Sequence, residues 1–292
     1  WTLMLNASVV ELVPFERVSL DFAIVGFPKA GTTTLFHGLR QHPEVIFPDG
    51  EPMEDPFFFE PRSVREVQEW ERRFARTRQM RRGALSSRTL RGIWSPMMIQ
   101  HFPALDALRR VPGVRIIVLV RDPIQMFQSY LSNDNWPPWT CSEHPRFDLL
   151  YQARLVVRDT GARWWADRRR LLLMPFEAMR FAPDLAMEAI AKFLGIAPPS
   201  ADASAQMLRW RNPSMKLSSQ RIHVCERVGG IDIHRILLEL YASDVEMLRA
   251  LLRRFFFPVL NRTVSRGAVI SDVRRGSSRI LLAPMACRGR RG

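Results

Sequence analysis

Lysine is scarce in this chain. Of 43 basic residues only Lys29, Lys192 and Lys216 are lysines, the rest being arginine. Arginine is the chain's habitual cation, so a lysine placed inside a glycine loop stands apart from the basic background. Cysteine is equally rare. Cys141, Cys225 and Cys287 lack metal-ligand spacing and allow at most one bridge, which excludes a disulfide framework and leaves the redox compartment open. Long apolar runs are also missing: Phe255 to Leu260 and Leu281 to Met285 are short and flanked by arginine, far below the ~18 apolar residues of a membrane span. The first residue is Trp1 rather than Met, so the expectation is a fragment or processed chain, with any targeting segment or membrane anchor upstream of it.

What is present is ordinary globular material, 292 residues with 47% hydrophobic and 25% charged content, enough for one principal domain with a large core. The net charge of +14 calls for an anionic partner: nucleic acid, an acidic membrane surface, or a small polyanionic cofactor with an acidic polymer substrate. Residues 62 to 91 hold ten arginines against three glutamates on a helical pattern that includes Trp70 and Phe74. That run is either a surface recruiting an acidic polysaccharide or the solvated face of an amphipathic helix. From Arg262 onward eight arginines face one acid, with Gly and Ser between them, which predicts a disordered basic tail. Asn6-Ala7-Ser8 and Asn261-Arg262-Thr263 permit glycosylation.

Phe22 to Phe27 reads as a short buried strand ended by Pro28, and Thr32 to Arg40 as the helix after it. Val114 to Val120, introduced by Pro112-Gly113, reads as a second central strand ending at Arg121-Asp122-Pro123, and Leu171 to Met174 as a third. Helical spacing recurs over Val64 to Arg78, Leu105 to Arg110, Gln125 to Leu131, Leu149 to Arg170, Leu185 to Leu194 and Ile236 to Phe257. Strands alternating with helices predict an α/β fold: a single P-loop-like domain over residues 21–261 with a central, mostly parallel sheet flanked by helices. Residues 1–20 form an N-terminal lead-in and 262–292 the tail.

Chemistry concentrates in Gly26-Phe27-Pro28-Lys29-Ala30-Gly31-Thr32-Thr33-Thr34. Where a strand hands over to a helix, backbone N–H groups and the positive end of the helix converge on one anion, glycines admit close approach, and threonine hydroxyls add donors. The Gly26 to Gly31 spacing is that of a nucleotide-triphosphate P-loop, yet Thr32 occupies the position where such a loop needs lysine. The lysine lies inside the loop instead, at Lys29, where an ammonium can neutralise charge on a leaving group bridging sulfur and phosphate. At the end of the second strand Arg121 offers a forked contact to a second phosphate, and Ser129 a hydroxyl eight residues on.

These residues resemble the sulfotransferase family that uses 3′-phosphoadenosine 5′-phosphosulfate (PAPS). Its 5′-phosphosulfate loop, Pro-Lys-x-Gly-Thr-Thr-x-Leu, is matched by Pro28, Lys29, Gly31, Thr32, Thr33 and Leu35. Its 3′-phosphate segment is matched by Arg121, Asp122, Pro123 and Ser129. Gln41-His42-Pro43, Ser95-Pro96 and Phe193-Leu194-Gly195-Ile196 are similar to the carbohydrate, heparan-sulfate-like branch. The resemblance implies PAPS held by Pro28 to Thr34, Arg121, Ser129 and Arg221, no metal, no nucleic acid, a carbohydrate acceptor and frequently a Golgi-lumenal setting. Arg221 enters through Ser218-Ser219-Gln220-Arg221, similar to a stretch that closes over the cofactor in glycan enzymes.

An acceptor hydroxyl must lose its proton during attack, so a carboxylate or histidine is needed close by. Glycan enzymes of the family carry a glutamate in Lys-Glu-Pro-His-Phe-Phe. Against Met53-Glu54-Asp55-Pro56-Phe57-Phe58-Phe59 this puts Asp55 at the glutamate, Phe57 at the histidine and Glu54 at the lysine. Asp55 is the first choice of base and Glu54 the second. His101, between the two phosphate segments, is the base on a different reading, a small-molecule sulfotransferase of the cytosolic branch. Two further readings are a nucleotide triphosphatase with a degenerate P-loop and a non-catalytic anion- or glycan-binding protein with a vestigial site.

Overall fold

The computed structural model describes residues 11–26, 29–50, 55–121, 125, 126, 129 and 169–209, together with 227, 228, 231, 232, 235, 239 and 246. In chain order come β1 (Leu12–Val13), β2 (Phe22–Gly26), α1 (Thr32–Leu39), β3 (Val45–Ile46), β4 (Arg62–Ser63), α2 (Val64–Met80), β5 (Leu90–Trp94), α3 (Phe102–Arg110), β6 (Arg115–Val120), β7 (Leu171–Pro175), α4 (Phe176–Phe181), α5 (Pro183–Leu194), α6 (Ala201–Met207), β8 (Arg227–Val228) and β9 (Ile231–Asp232). Short 3-10 turns lie at Phe15–Arg17, Phe57–Phe59 and Pro96–Gln100. Among these helices none is long and apolar enough to cross a membrane.

The core is a five-stranded sheet in the order β3-β5-β2-β6-β7, parallel throughout. Its central strands are continuous apolar runs because helices cover both faces. Every residue of β2 and β7 is buried, and in β6 only Arg115 is not. Phe22 is fully enclosed, a burial that contributes roughly 2–3 kcal/mol. Its ring explains the glycine in the neighbouring strand: a Cβ on Gly92 would lie 2.1 Å from Phe22 Cζ. That glycine and the arginine beside it interrupt the apolar pattern of Leu90-Arg91-Gly92-Ile93-Trp94, so β5 does not announce itself in the sequence.

From β2 the chain crosses to β3 on one side, whereas from β6 it goes to β7 on the other. The carboxyl ends of β2 and β6 therefore flank a topological switch point, where open parallel sheets bind ligands. α1 leaves from this edge and packs tightly on α6, since a Cβ on Gly38 would stand 2.7 Å from the Met207 carbonyl oxygen.

Part of the lead-in belongs to the domain. β1 pairs antiparallel with β4, the Phe15 ring sits 5.5 Å from Phe58, and Glu16 bridges Arg110 at 2.8 Å. The helix expected from Val64 extends to Met80 and opens with a capping box, in which Ser63 Oγ accepts from the Glu66 N–H and Glu66 Oε2 accepts from the Ser63 N–H at 2.8 Å. Trp70, Phe74 and Thr77 form its buried face. On its solvated face Arg72 and Arg76 pair with Glu69, and Arg76 also with Asp49. Arg65 is exposed near the start of the helix; Arg82 and Arg88 are exposed beyond its end, near Arg81, which donates to the Val45 carbonyl where β3 begins. Arg62, at the start of the run, donates to the Pro56 and Phe57 carbonyls just past Asp55.

α3 begins at Phe102, three residues before the apolar pattern, because His101 caps it and Pro103 sits in the first turn where no N–H is required. Gln125, Met126, Ser129, Glu239 and Glu246 are helical, within two segments expected to be helices. Most of the helix expected over Leu149 to Arg170, the tail 262–292 and both glycosylation sites lie outside the described residues.

Candidate active site

At the end of β2 the chain has no room for a side chain, since a Cβ on Gly26 would lie 2.8 Å from the Leu119 carbonyl oxygen of β6. Lys29 then adopts a left-handed conformation with φ 64, which costs a non-glycine residue on the order of 1–2 kcal/mol. Gly31 follows with φ 89 as the N-cap of α1. It has no side chain to cap the helix, so the first-turn N–H groups stay available for an anion. Ala30 and Thr32 are buried, Thr33 is half-buried, and Thr34 is buried on the face of α1.

Two residues from other strands hold this loop. Arg121, just past β6, donates from Nη1 to the Lys29 carbonyl at 2.9 Å. Its guanidinium carbon lies 4.4 Å from the centroid of the Phe176 ring, just past β7. Phe176 also presses on the loop, because a Cβ on Gly31 would be 2.4 Å from its Cδ2. A charge-assisted hydrogen bond contributes roughly 1.5–3 kcal/mol and a partly desolvated cation–π contact about 0.5–2. Together they are large enough to hold the left-handed turn at Lys29. Burial first, and then the Arg121 guanidinium, lower the Lys29 ammonium below its ordinary value. A polyanion arriving between the two cations would relieve that penalty, which is the sense in which these residues fit a bisphosphorylated cofactor.

Ser129 is helical and half-buried, eight residues beyond Arg121. Beside the loop a cavity of about 190 Å³ is lined by Thr34, Phe176, Met179, Leu208, Arg180 and Arg209, among others. It is smaller than the ~300–1,000 Å³ of drug-sized sites. Phe176 and this cavity were not legible in the sequence beyond the end of a strand at Pro175. Glu177, next to Phe176, is a buried acid that sequence reasoning also passed over.

The acids and the histidine stand differently. Asp55 is buried at the carboxyl end of β5, its N–H donating to the Trp94 carbonyl at 2.9 Å. Its Oδ1 accepts from the Phe57 N–H at 2.9 Å and its Oδ2 from Trp70 Nε1–H at 3.0 Å. Both oxygens thus tie the turn at Phe57–Phe59 to α2. His101 Nδ1 accepts from the Ala104 N–H at 3.2 Å, which places the proton of the neutral ring on Nε2 and commits the ring's lone pair to the helix cap. Pro28, Glu54 and Arg221 lie outside the described residues. Among the described residues no group of three or more His, Cys, Asp or Glu side chains gathers.

A sequence model of the sulfotransferase family matches residues 21–200. The chain resembles a solved sulfotransferase from Alicyclobacillus acidocaldarius at 20% identity and TM-score 0.52, covering 82% of this chain and 98% of that one. It also resembles a sulfotransferase from Mycobacterium avium at 16% identity and TM-score 0.47, with 78% and 76% covered. A mouse sulfotransferase complexed with PAP gives 16% identity and TM-score 0.46, with 79% and 87% covered. No curated protein sequence matches the chain.

Proposed function

The chain belongs to the sulfotransferase family, a PAPS-dependent enzyme by that membership, and from this premise we propose that it moves a sulfonate group onto a hydroxyl or amine of a carbohydrate by in-line displacement. The observation that carries the reading is the convergence of Lys29, Arg121 and the amino end of α1 at the switch point of the sheet. When bound, the cofactor supplies an activated sulfonate. The loop amides from Lys29 to Thr34 and the hydroxyls of Thr32 and Thr33 hold its 5′ end. Lys29 offsets charge that develops on the departing oxygen, and Arg121 and Ser129 take the 3′-phosphate. As in phosphoryl transfer, most of the acceleration comes from positioning and charge stabilisation.

The carbohydrate acceptor rests on the three short segments similar to that branch and on the arginine run that begins at Arg62 beside the Pro56–Phe57 turn. The base on this reading is Asp55 or Glu54. Acting as base, Asp55 uses a lone pair of an oxygen that already accepts one hydrogen bond. The cytosolic-type reading needs a free ring lone pair on His101, which requires the loss of the Ala104 cap at Nδ1.

Transfer from radiolabelled PAPS to a heparan-type polysaccharide and to a small phenol, by wild type and Lys29→Ala, tests the proposal. Label on the polysaccharide, with kcat reduced ~10²–10³-fold in the variant, is the expected result. Label only on the phenol would move the acceptor to small molecules. A folded wild type that binds 3′-phosphoadenosine 5′-phosphate without transferring label to any acceptor would replace the enzyme with a binding protein.

A further inference from the structure

We propose that Arg121 is a positioning residue for the 5′ end of the cofactor, acting through the Lys29 carbonyl, with Phe176 as the platform that holds it flat. This rests on the sulfotransferase reading and goes beyond a contact to the 3′-phosphate. The hydrogen bond from Arg121 Nη1 fixes the direction of the Lys29 carbonyl. In a trans peptide the next N–H points the opposite way, so the same bond turns the Ala30 N–H away from Arg121. Successive N–H groups around a left-handed residue form an anion-binding concavity, and Lys29 is the left-handed residue here. Arg121 therefore sets the orientation of a donor that it does not itself supply. Phe176 couples the parts, since one ring lies under the guanidinium and against Gly31. Burial and Arg121 also lower the Lys29 pKa, so the two cations are close enough to feel one ligand together.

Adenosine 5′-phosphosulfate, which lacks the 3′-phosphate, separates this role from direct phosphate binding. Calorimetric titration of wild type, Arg121→Ala and Arg121→Lys with this nucleotide and with 3′-phosphoadenosine 5′-phosphate gives the comparison, with circular dichroism as the folding control. Both variants are expected to bind adenosine 5′-phosphosulfate at least fivefold more weakly than wild type. Lysine keeps the charge but has no planar group that can lie flat on Phe176 while donating to the carbonyl. Unchanged affinity for adenosine 5′-phosphosulfate in Arg121→Ala, alongside weaker binding of the bisphosphate, would overturn the proposal and leave the function intact. Recovery of that affinity in Arg121→Lys would also overturn it, because charge alone would then suffice. A wild type that binds neither nucleotide sinks both readings at once. Should Arg121→Ala fail to fold, Arg121→Lys still carries the test.

Discussion

At the ends of β2 and β6 two cations, Lys29 and Arg121, are kept close, partly desolvated and attached to a left-handed turn. Past the end of β5, Asp55 and His101 instead accept hydrogen bonds from neighbouring N–H groups. The first region stores unfavourable free energy that a ligand can release, whereas the second is satisfied without one. Sites that bind by charge are expected to look like the first, because preorganisation means holding groups where they are uncomfortable until the ligand arrives. An acceptor site need not be strained beforehand. On the proposed function the base works only once a substrate hydroxyl approaches its lone pair, so its resting partners can belong to the fold.

Gly31→Ala should break the contrast most severely. The new Cβ would fall 2.4 Å from Phe176 Cδ2 at φ 89, so the ring, the turn or both must move, at a cost of about 2 kcal/mol or more. Loss of 3′-phosphoadenosine 5′-phosphate binding by more than about 100-fold in calorimetry, with a melting temperature several degrees lower, is the expected outcome. Retained binding would mean that Phe176 does not brace the loop.

Asp55→Asn sharpens the comparison from the other side. One amide oxygen can replace one carboxylate oxygen, but the amide N–H₂ then faces either the Phe57 N–H or the Trp70 Nε1–H, donor against donor. That mismatch destabilises a buried pair by about 1–3 kcal/mol, which for a chain of this size lowers the melting temperature by roughly 2–10 °C. A thermal melt alongside a transfer assay separates the two roles. A variant that melts like wild type yet transfers nothing would make Asp55 a base held only loosely by the fold, contrary to the geometry.

The same physical difference decides what the sequence could disclose. Buried parallel strands require unbroken apolar runs, so β2, β6 and β7 were visible, and a phosphate loop needs glycines at fixed spacing, which singled out Lys29, while Arg121 was picked out by its place at the end of β6. β3 is only two residues long, and β5 hides behind Gly92, whose absent side chain is explained by the Phe22 ring from another strand. Phe176 was missed because its role lies in what it touches, Arg121 on one side and Gly31 on the other, and neither contact leaves a local pattern. Asp55 could be aligned by its neighbours, but its commitment to Trp70, fifteen residues on, could not be read from spacing. α4 and α6 are too short, at six and seven residues, to show a helical period.

The smallest expected effect tests the strained side directly. Because burial and Arg121 lower the Lys29 pKa in the folded state, the unfolded chain binds that proton more readily, and the charged lysine works against folding. This penalty is fully present below the lowered folded value, where the group is protonated in both states. It fades as pH rises from the lowered folded value toward the ordinary 10.5, above which neither state carries the charge. Lys29→Met keeps a non-glycine residue in the left-handed turn and an apolar chain of similar length, and removes the ammonium. With partial solvent screening it should slightly raise the melting temperature of the ligand-free protein at a pH below the lowered folded value. That advantage should shrink as pH approaches 10.5. With 3′-phosphoadenosine 5′-phosphate at ~100 times the wild-type dissociation constant the order should reverse, since ligand binding adds about 2.7 kcal/mol to wild type and less to the variant. A variant that melts below wild type without ligand would show that the Lys29 side chain supports the fold, and the two ends of the sheet edge would then be alike.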